Sequence, residues 1–272
     1  MQYRKLAFIG AGNMTKAILT GLIENGYPAD KITVTAPSKT RRLPLEKSFA
    51  IQTTSDNLAA AKNAQVVILA VKPQLMAQVC KPLQAIDWSN KLVISIAAGI
   101  RCERLNQMLA TQLNLVRVMP NTPTQIGLGM TGLFAPQHIE LKDKDFAASL
   151  MNAVGQFYWL ANENEMNLFT AIASSSPAYL FLLMEAMQQE AIKQGFNQSD
   201  SRKLIGQAML GAANMVMENS ETELSVMREQ ITSKAGVTAE ALSTFNQYQF
   251  SDIVAKAIQA GLKRAGEMET LF

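Results

Sequence analysis

Residues 5–18, KLAFIGAGNMTKAI, decide how the rest of the chain is read. A short apolar run ends at Gly10, and a helix-like pattern opens just beyond Gly12. A strand that turns sharply into a helix aims the helix's first, unpaired N–H groups past the sheet edge, where they favour an anion. Gly10 permits the tight turn, and Gly12 lets the backbone approach a pyrophosphate, as in a dinucleotide-binding βαβ unit. The third small residue of that fingerprint is here Thr15, to whose extra bulk the helix–strand packing must adjust.

The following residues repeat the theme. Apolar, branched runs recur at 31–36 (KITVTA), 65–71 (QVVILAV), 91–97 (KLVISIA) and 114–120 (NLVRVMP), with helix-like stretches between most of them. That alternation specifies a parallel sheet covered by helices. Two more strand candidates follow, 129–135 and 155–161. The alternation then stops. Residues 163–195 form one long helical pattern with Pro177 inside it, which predicts a kink or local break. Further helices follow at 199–219, with Ser199 as the expected cap, and at 222–231, 237–247 and 252–269. The expected fold is an α/β Rossmann domain over 1–161, followed by an all-α domain over 162–272.

Composition narrows the function. A net charge of +3, dispersed along 272 residues, does not point to nucleic acid. No uninterrupted apolar run approaches the ~20 residues of a membrane span, and MQYRKLAFIG lacks the layout of a signal peptide. Cys80 and Cys102 are isolated, which fits a reducing compartment and a cytoplasmic enzyme. The single histidine, His138, falls in a loop-like stretch, so a histidine base is not expected.

The loop after the second strand, TAPSKTRR (35–42), selects the cofactor. A ribose-binding carboxylate is absent, and Ser38, Lys39, Arg41 and Arg42 suit a 2′-phosphate. NADPH is therefore expected, with NADH left open. The strands ending in AVKPQ (70–74) and SIAAGI (95–100) reach the same sheet edge. Lys72 precedes a proline and should be extended, and Ala97, Ala98 and Gly99 offer a small-residue surface to a nicotinamide ring.

One stretch of the helical half stands apart. ITSKAGVTAEAL (231–242) interrupts the helices with small and polar residues before a helix restarts. It reads as a plain turn or as an anion site at a helix N-terminus.

RVMPNTP (117–123) and SPAY (176–179), in order with GAGNM, AVKP and SIAAG, give the chain a more specific likeness. It resembles the pyrroline-5-carboxylate reductases, which perform the last step of proline biosynthesis, over nearly its whole length. The resemblance implies an oxidoreductase acting on a C=N bond, with a helical domain that dimerises by intertwining and allows assembly of dimers into rings. It assigns Gly10, Gly12, Asn13 and Met14 to the phosphate loop, Ser38 to the cofactor phosphate and Asn57 to the cofactor's face. Val71, Lys72 and Pro73 match the turn beside the cofactor, and Ala97, Ala98 and Gly99 the nicotinamide wall. Met119, Pro120, Asn121 and Thr122 match the loop joining cofactor and substrate sites, and Glu163 a carboxylate near the substrate.

The family usually carries SPGGTT where this chain has Ser233, Lys234, Ala235, Gly236, Val237 and Thr238. The resemblance implies that this loop holds the substrate carboxylate, with Ser233, Gly236, Val237 and Thr238 in the pocket and Thr238 hydrogen-bonded to the ring nitrogen. Replacing a glycine by Ala235 matters if that residue must adopt positive φ. Ser174 likewise stands where the family tends to have glycine. Hydride transfer to a protonated cyclic imine needs orientation more than acid–base machinery, which agrees with the lack of a usable histidine. Two other readings compete: a reductase of another imine or β-hydroxyacid, and a non-catalytic NADP-binding paralogue. The sole lysine of the long helix, Lys193, lies near its far end, which argues against a β-hydroxyacid dehydrogenase.

Overall fold

The computed structural model describes residues 3–272. Its strands are β1 (Leu6–Ile9), β2 (Ile32–Thr35), β3 (Gln52–Thr54), β4 (Val66–Leu69), β5 (Leu92–Ser95), β6 (Asn114–Met119), β7 (Gly129–Phe134) and β8 (Gly155–Trp159). They form one sheet in the order β3-β2-β1-β4-β5-β6-β7-β8. Pairing is parallel from β3 to β6, antiparallel between β6 and β7, and parallel between β7 and β8. The first six strands are thus doubly wound, with the order reversing at β1.

Helices α1 (Asn13–Glu24), α2 (Lys39–Phe49), α3 (Asn57–Asn63), α4 (Pro73–Leu83), α5 (Cys102–Leu109) and α6 (Leu141–Asn152) flank the sheet. Strand alternation sorts the side chains between two cores. Leu6 and Phe8 of β1 pack with Ile18, Leu19 and Leu22 of α1 and Leu150 of α6. Ala7 and Ile9 pack on the opposite face with Met76 and Leu83 of α4 and Leu105 of α5. The strand β3 escapes a hydrophobicity reading because QTT is polar, partly exposed and at the sheet edge.

The helical half comprises α7 (Glu165–Phe169), α8 (Ser176–Lys193), α9 (Gln198–Glu218), α10 (Leu224–Gln230), α11 (Val237–Gln247) and α12 (Phe250–Leu271). A π-turn over Thr170–Ser174 separates α7 from α8, with the Ser175 N–H bonding the Thr170 carbonyl at 2.9 Å. This is the break expected at Pro177, placed just ahead of the proline so that its missing N–H falls in the first turn of α8. The cap of α9 is Asn197, whose side chain accepts from the Asp200 N–H, and Ser199 lies inside the first turn.

Two compact units result: 1–177 with 261–272, and 178–260. The sheet-bearing unit therefore runs past the division expected near residue 162 and also takes in the last turns of α12. In the second unit Ser201 alone, among the described residues, is buried. Large apolar side chains there, including Phe181, Leu182 and Met217, are more than half exposed.

Candidate active site

The loops after β1 and β4 lie side by side where the strand order reverses. Gly10 has φ +121°, and a Cβ on it would sit 2.5 Å from the Ala70 carbonyl oxygen, so only glycine fits. A Cβ on Gly12 would meet nothing within 4 Å, leaving open space ahead of α1. Gly12 caps α1 without a side-chain hydrogen bond, so the N–H groups of Asn13 and Met14 remain available. This cradle fits the pyrophosphate of a dinucleotide. The Thr15 side chain is buried, and its hydroxyl donates to the Gly10 carbonyl at 2.9 Å. Thr15 thus pins the glycine turn through a bond that glycine or alanine at this position would lack.

Ser38 caps α2. Its Oγ accepts from the Thr40 N–H at 3.2 Å and lies 2.5 Å from the Thr40 hydroxyl. Lys39 and Arg41 are exposed and Arg42 is half-buried. Two hydroxyls and three cations thus gather at a helix N-terminus, a donor set suited to a phosphate dianion. Thr40 was missed in the sequence because nothing there shows that its hydroxyl returns to Ser38. Asn57 opens α3, capped by Asp56, whose side chain accepts from the Ala59 N–H.

At the other end of the crevice, Lys72 has φ −58° and ψ 143°, extended as the following proline requires, and Pro73 starts α4. Val71 Cγ1 lies against Gly10. Of the three small residues after β5, Ala97 is buried in the core and Ala98 is half-exposed. Gly99 is buried, with φ +72°, and a Cβ on it would come within 2.7 Å of Met268 Cβ. Gly99 is therefore glycine because α12 packs on it, and Ala98 is the least buried of the three.

The RVMPNTP segment is tied inward. Met119 is buried with Leu160, Met166 and Phe169. The Asn121 side chain accepts from the Met130 N–H at 2.9 Å and donates to the Ala173 carbonyl at 3.2 Å. Ser174, the residue standing for glycine, donates its hydroxyl to the Pro120 carbonyl at 3.0 Å. Glu163 accepts from the Cys102 N–H and from Arg117, each at 2.7 Å. Burial pushes its carboxyl up, but these donors outweigh burial and hold it below the ordinary carboxylate range. Burial, with Glu163 beside it, pushes the Cys102 thiol far up, so it is no nucleophile. Met119, Asn121 and Glu163 thus shape the loop from beneath rather than presenting free polar groups. Arg117, which the sequence reading did not single out, emerges as the centre of this network.

In the helical unit, the Gly236 N–H bonds the Ser233 carbonyl at 3.0 Å, and Ala235 adopts φ +57°. Gly236 caps α11 without a side-chain bond, and a Cβ on it would collide with Ser233 Oγ. The N–H groups of the first α11 turn, at Val237 and Thr238, are consequently free to meet an anion. Val237 is almost fully exposed, so its side chain does not close that approach.

Fold and crevice together define a nicotinamide-dinucleotide oxidoreductase built on a doubly wound sheet with a separate helical unit. The NADP oxidoreductase, coenzyme F420-dependent family model matches residues 5–99, and the pyrroline-5-carboxylate reductase dimerisation model matches 163–268. The chain is 65% identical to a pyrroline-5-carboxylate reductase of Vibrio alginolyticus, covering all of both chains. A solved pyrroline-5-carboxylate reductase from Coxiella burnetii superimposes with a TM-score of 0.90 at 37% identity, covering 98% of this chain and 99% of that one. One from Plasmodium falciparum, with NADP bound, gives 0.88 at 27% identity, covering 99% of each. The chain belongs to the pyrroline-5-carboxylate reductase family.

Proposed function

We propose that the chain reduces 1-pyrroline-5-carboxylate to L-proline with NADPH, as the last step of proline biosynthesis. The observation that carries this is the full-length identity of 65% to a curated pyrroline-5-carboxylate reductase. The Gly10–Gly12 cradle and the Ser38–Arg42 cluster fit the cofactor independently. When bound, NADPH supplies the hydride that adds to the imine carbon, leaving NADP⁺ and, with one proton on nitrogen, proline. The protein's part is to hold and orient. The first N–H groups of α1 take the pyrophosphate, while Ser38, Lys39 and Arg41, with Thr40 and Arg42, take the 2′-phosphate. Val71, Lys72, Pro73 and Ala98 shape the nicotinamide end.

Ser233, Gly236, Val237 and Thr238 receive the substrate carboxylate through N–H and hydroxyl donors. The Thr238 hydroxyl hydrogen-bonds the ring nitrogen. One helix terminus contributes on the order of 1 kcal/mol to anion binding, so positioning supplies most of the rate. Nothing in the relatives favours another imine or a non-catalytic role. In the substituted loop, Ala235 takes a positive φ, a conformation that glycine adopts readily. The test is NADPH oxidation by the purified chain with 1-pyrroline-5-carboxylate, with proline detected as product. Consumption of NADPH without proline, or no consumption, would reject this reading.

The helical unit lacks a core of its own, with Ser201 its one buried side chain among the described residues. The stretch Glu165–Lys193 is even apolar and long enough, by composition, to cross a membrane. It is not one uninterrupted apolar run, since residues 174–176, Glu185 and residues 188–190 interrupt it. We read the exposed apolar surface of the helical unit as the face that a second copy covers, as in obligate dimers, with rings of dimers an extension. Cys80 and Cys102 are both buried and unpaired, which supports a cytoplasmic enzyme.

A further inference from the structure

The sheet-bearing unit is completed by residues from the far end of the chain. Residues 261–272, the last turns of α12, belong to that unit. Two of their contacts fall on the segment after β5 that carries Ala98, at Gly99 and Arg101. Met268 covers Gly99. Glu269 Oε2 pairs with Arg101 Nη1 at 2.9 Å, and its Oε1 lies 3.8 Å from Arg117 Nη1. The terminal Phe272 packs on the α4–α5 core, and its carbonyl accepts from Arg104 Nε at 2.8 Å. Arg101 also donates to Asn164 at 2.7 Å, and Glu163 grips the Cys102 N–H.

We infer that Glu269 and Met268 are positioning residues for the cofactor: the end of α12 braces the Ala97–Arg101 segment, which orients the nicotinamide half of NADPH. This rests on the reading of that segment as the nicotinamide wall. Three features of the structure point the same way. Gly99 holds φ +72°, a conformation set for one backbone path, and the helix that packs on it leaves no room for a side chain. Arg101 and Glu163 hold the residues immediately after it, so the segment is fixed on its C-terminal side. Glu269 is nearly buried, with a side-chain exposure of 11%, and faces two arginines, so its removal leaves Arg101 and Arg117 to share the single carboxylate of Glu163 beside the segment. No atom of Glu269 is assigned to touch the cofactor. Its effect passes through Arg101 and the backbone of 97–101.

The experiment compares two ligands by calorimetric titration, NADPH and 2′,5′-ADP. The second carries the 2′-phosphate and adenosine but lacks the nicotinamide. For Glu269→Ala in the full chain, NADPH affinity should fall roughly tenfold while 2′,5′-ADP affinity stays within twofold, and Glu269→Gln should lie between wild type and alanine. Met268→Ala, which keeps the charges, should give a smaller loss in the same sense. Equal weakening of both ligands would mean general disruption and overturn the inference, as would unchanged NADPH affinity in both the Ala and Gln variants. Wild-type turnover of pyrroline-5-carboxylate is measured separately. Its absence would reject the enzymatic reading and leave the binding comparison standing.

Discussion

Arg117 Nη1 and Glu163 Oε1 meet at 2.7 Å, with side chains only 3% and 15% exposed. The pair joins β6 to a residue just ahead of α7, and the Cys102 N–H adds a second donor to the same carboxylate oxygen. Glu163 has a folded-state carboxyl below its ordinary value, because these donors exceed the effect of burial. A carboxyl lowered on folding contributes stability that is full above its unfolded pKa of about 4.3 and is lost as pH falls through the folded value.

Wild type should therefore lose stability on acidification below about pH 5, and Glu163→Gln should lose less over the same interval. At pH 7 the variant should be less stable by roughly 1–3 kcal/mol, since buried Arg117 keeps only the longer contact to Glu269 as a counter-charge. Urea midpoints at pH 7, 5 and 4 measure both effects. Parallel pH dependences for the two proteins would show that Glu163 does not titrate as described.

The phosphate cluster makes a prediction about cofactor choice. Replacing Arg41 and Arg42 together by alanine should weaken NADPH by roughly ten- to a hundredfold, the loss of one or two charge-assisted bonds. NADH has no 2′-phosphate and should change by less than threefold, so the preference between the two should narrow. Thr40→Val should act in the same direction but more weakly, because Ser38 still caps α2. KM values for each nucleotide, with the imine saturating, decide it. Equal losses for both nucleotides would remove the 2′-phosphate from this loop.

Thr238 tests the substrate end. Thr238→Ala should lower kcat by roughly ten- to a hundredfold, the value of one hydrogen bond formed in the transition state, and leave NADPH affinity unchanged. Thr238→Ser keeps the hydroxyl and should restore most of the rate. Unaltered turnover in the alanine variant would mean that the ring nitrogen is held by another group.

The doubly wound sheet was legible because its signal is local: branched apolar runs, the Gly10 and Gly12 turn, and proline after Lys72. The polar edge strand β3 was not, since it buries too little to carry a pattern. The family motifs drew attention to the segments around Asn121 and Glu163 but could not say which atoms were free. Asn121 is bonded to Met130 and Ala173, and Glu163 to Arg117, partners set by tertiary structure and distant in sequence. Gly99 shows the same limit. Its smallness suggested room for a ring, but the contact that demands glycine comes from Met268, 169 residues on. Likewise, residues 261–272 read as the end of a helical domain, while their packing places them with the sheet.

Ala235 is where the sequence posed a conditional question and the backbone supplies the answer. Its φ of +57° lies in the left-handed region, which costs an L-residue with a Cβ about 1–2 kcal/mol. Glycine removes that cost but adds about 0.4–1 kcal/mol of chain entropy to the unfolded state. Ala235→Gly should therefore stabilise the chain slightly, by about 0.5 kcal/mol, the difference between those two effects. Because Gly236 and the first α11 N–H groups keep their positions, KM for pyrroline-5-carboxylate should stay within about twofold. Ala235→Val tests the opposite direction, since a β-branched residue tolerates positive φ poorly and should destabilise by more than 1 kcal/mol. Thermal unfolding and steady-state kinetics on the three proteins separate strain from binding. A large rise in KM for Ala235→Gly, with stability unchanged, would make the methyl group of Ala235 part of the substrate pocket itself.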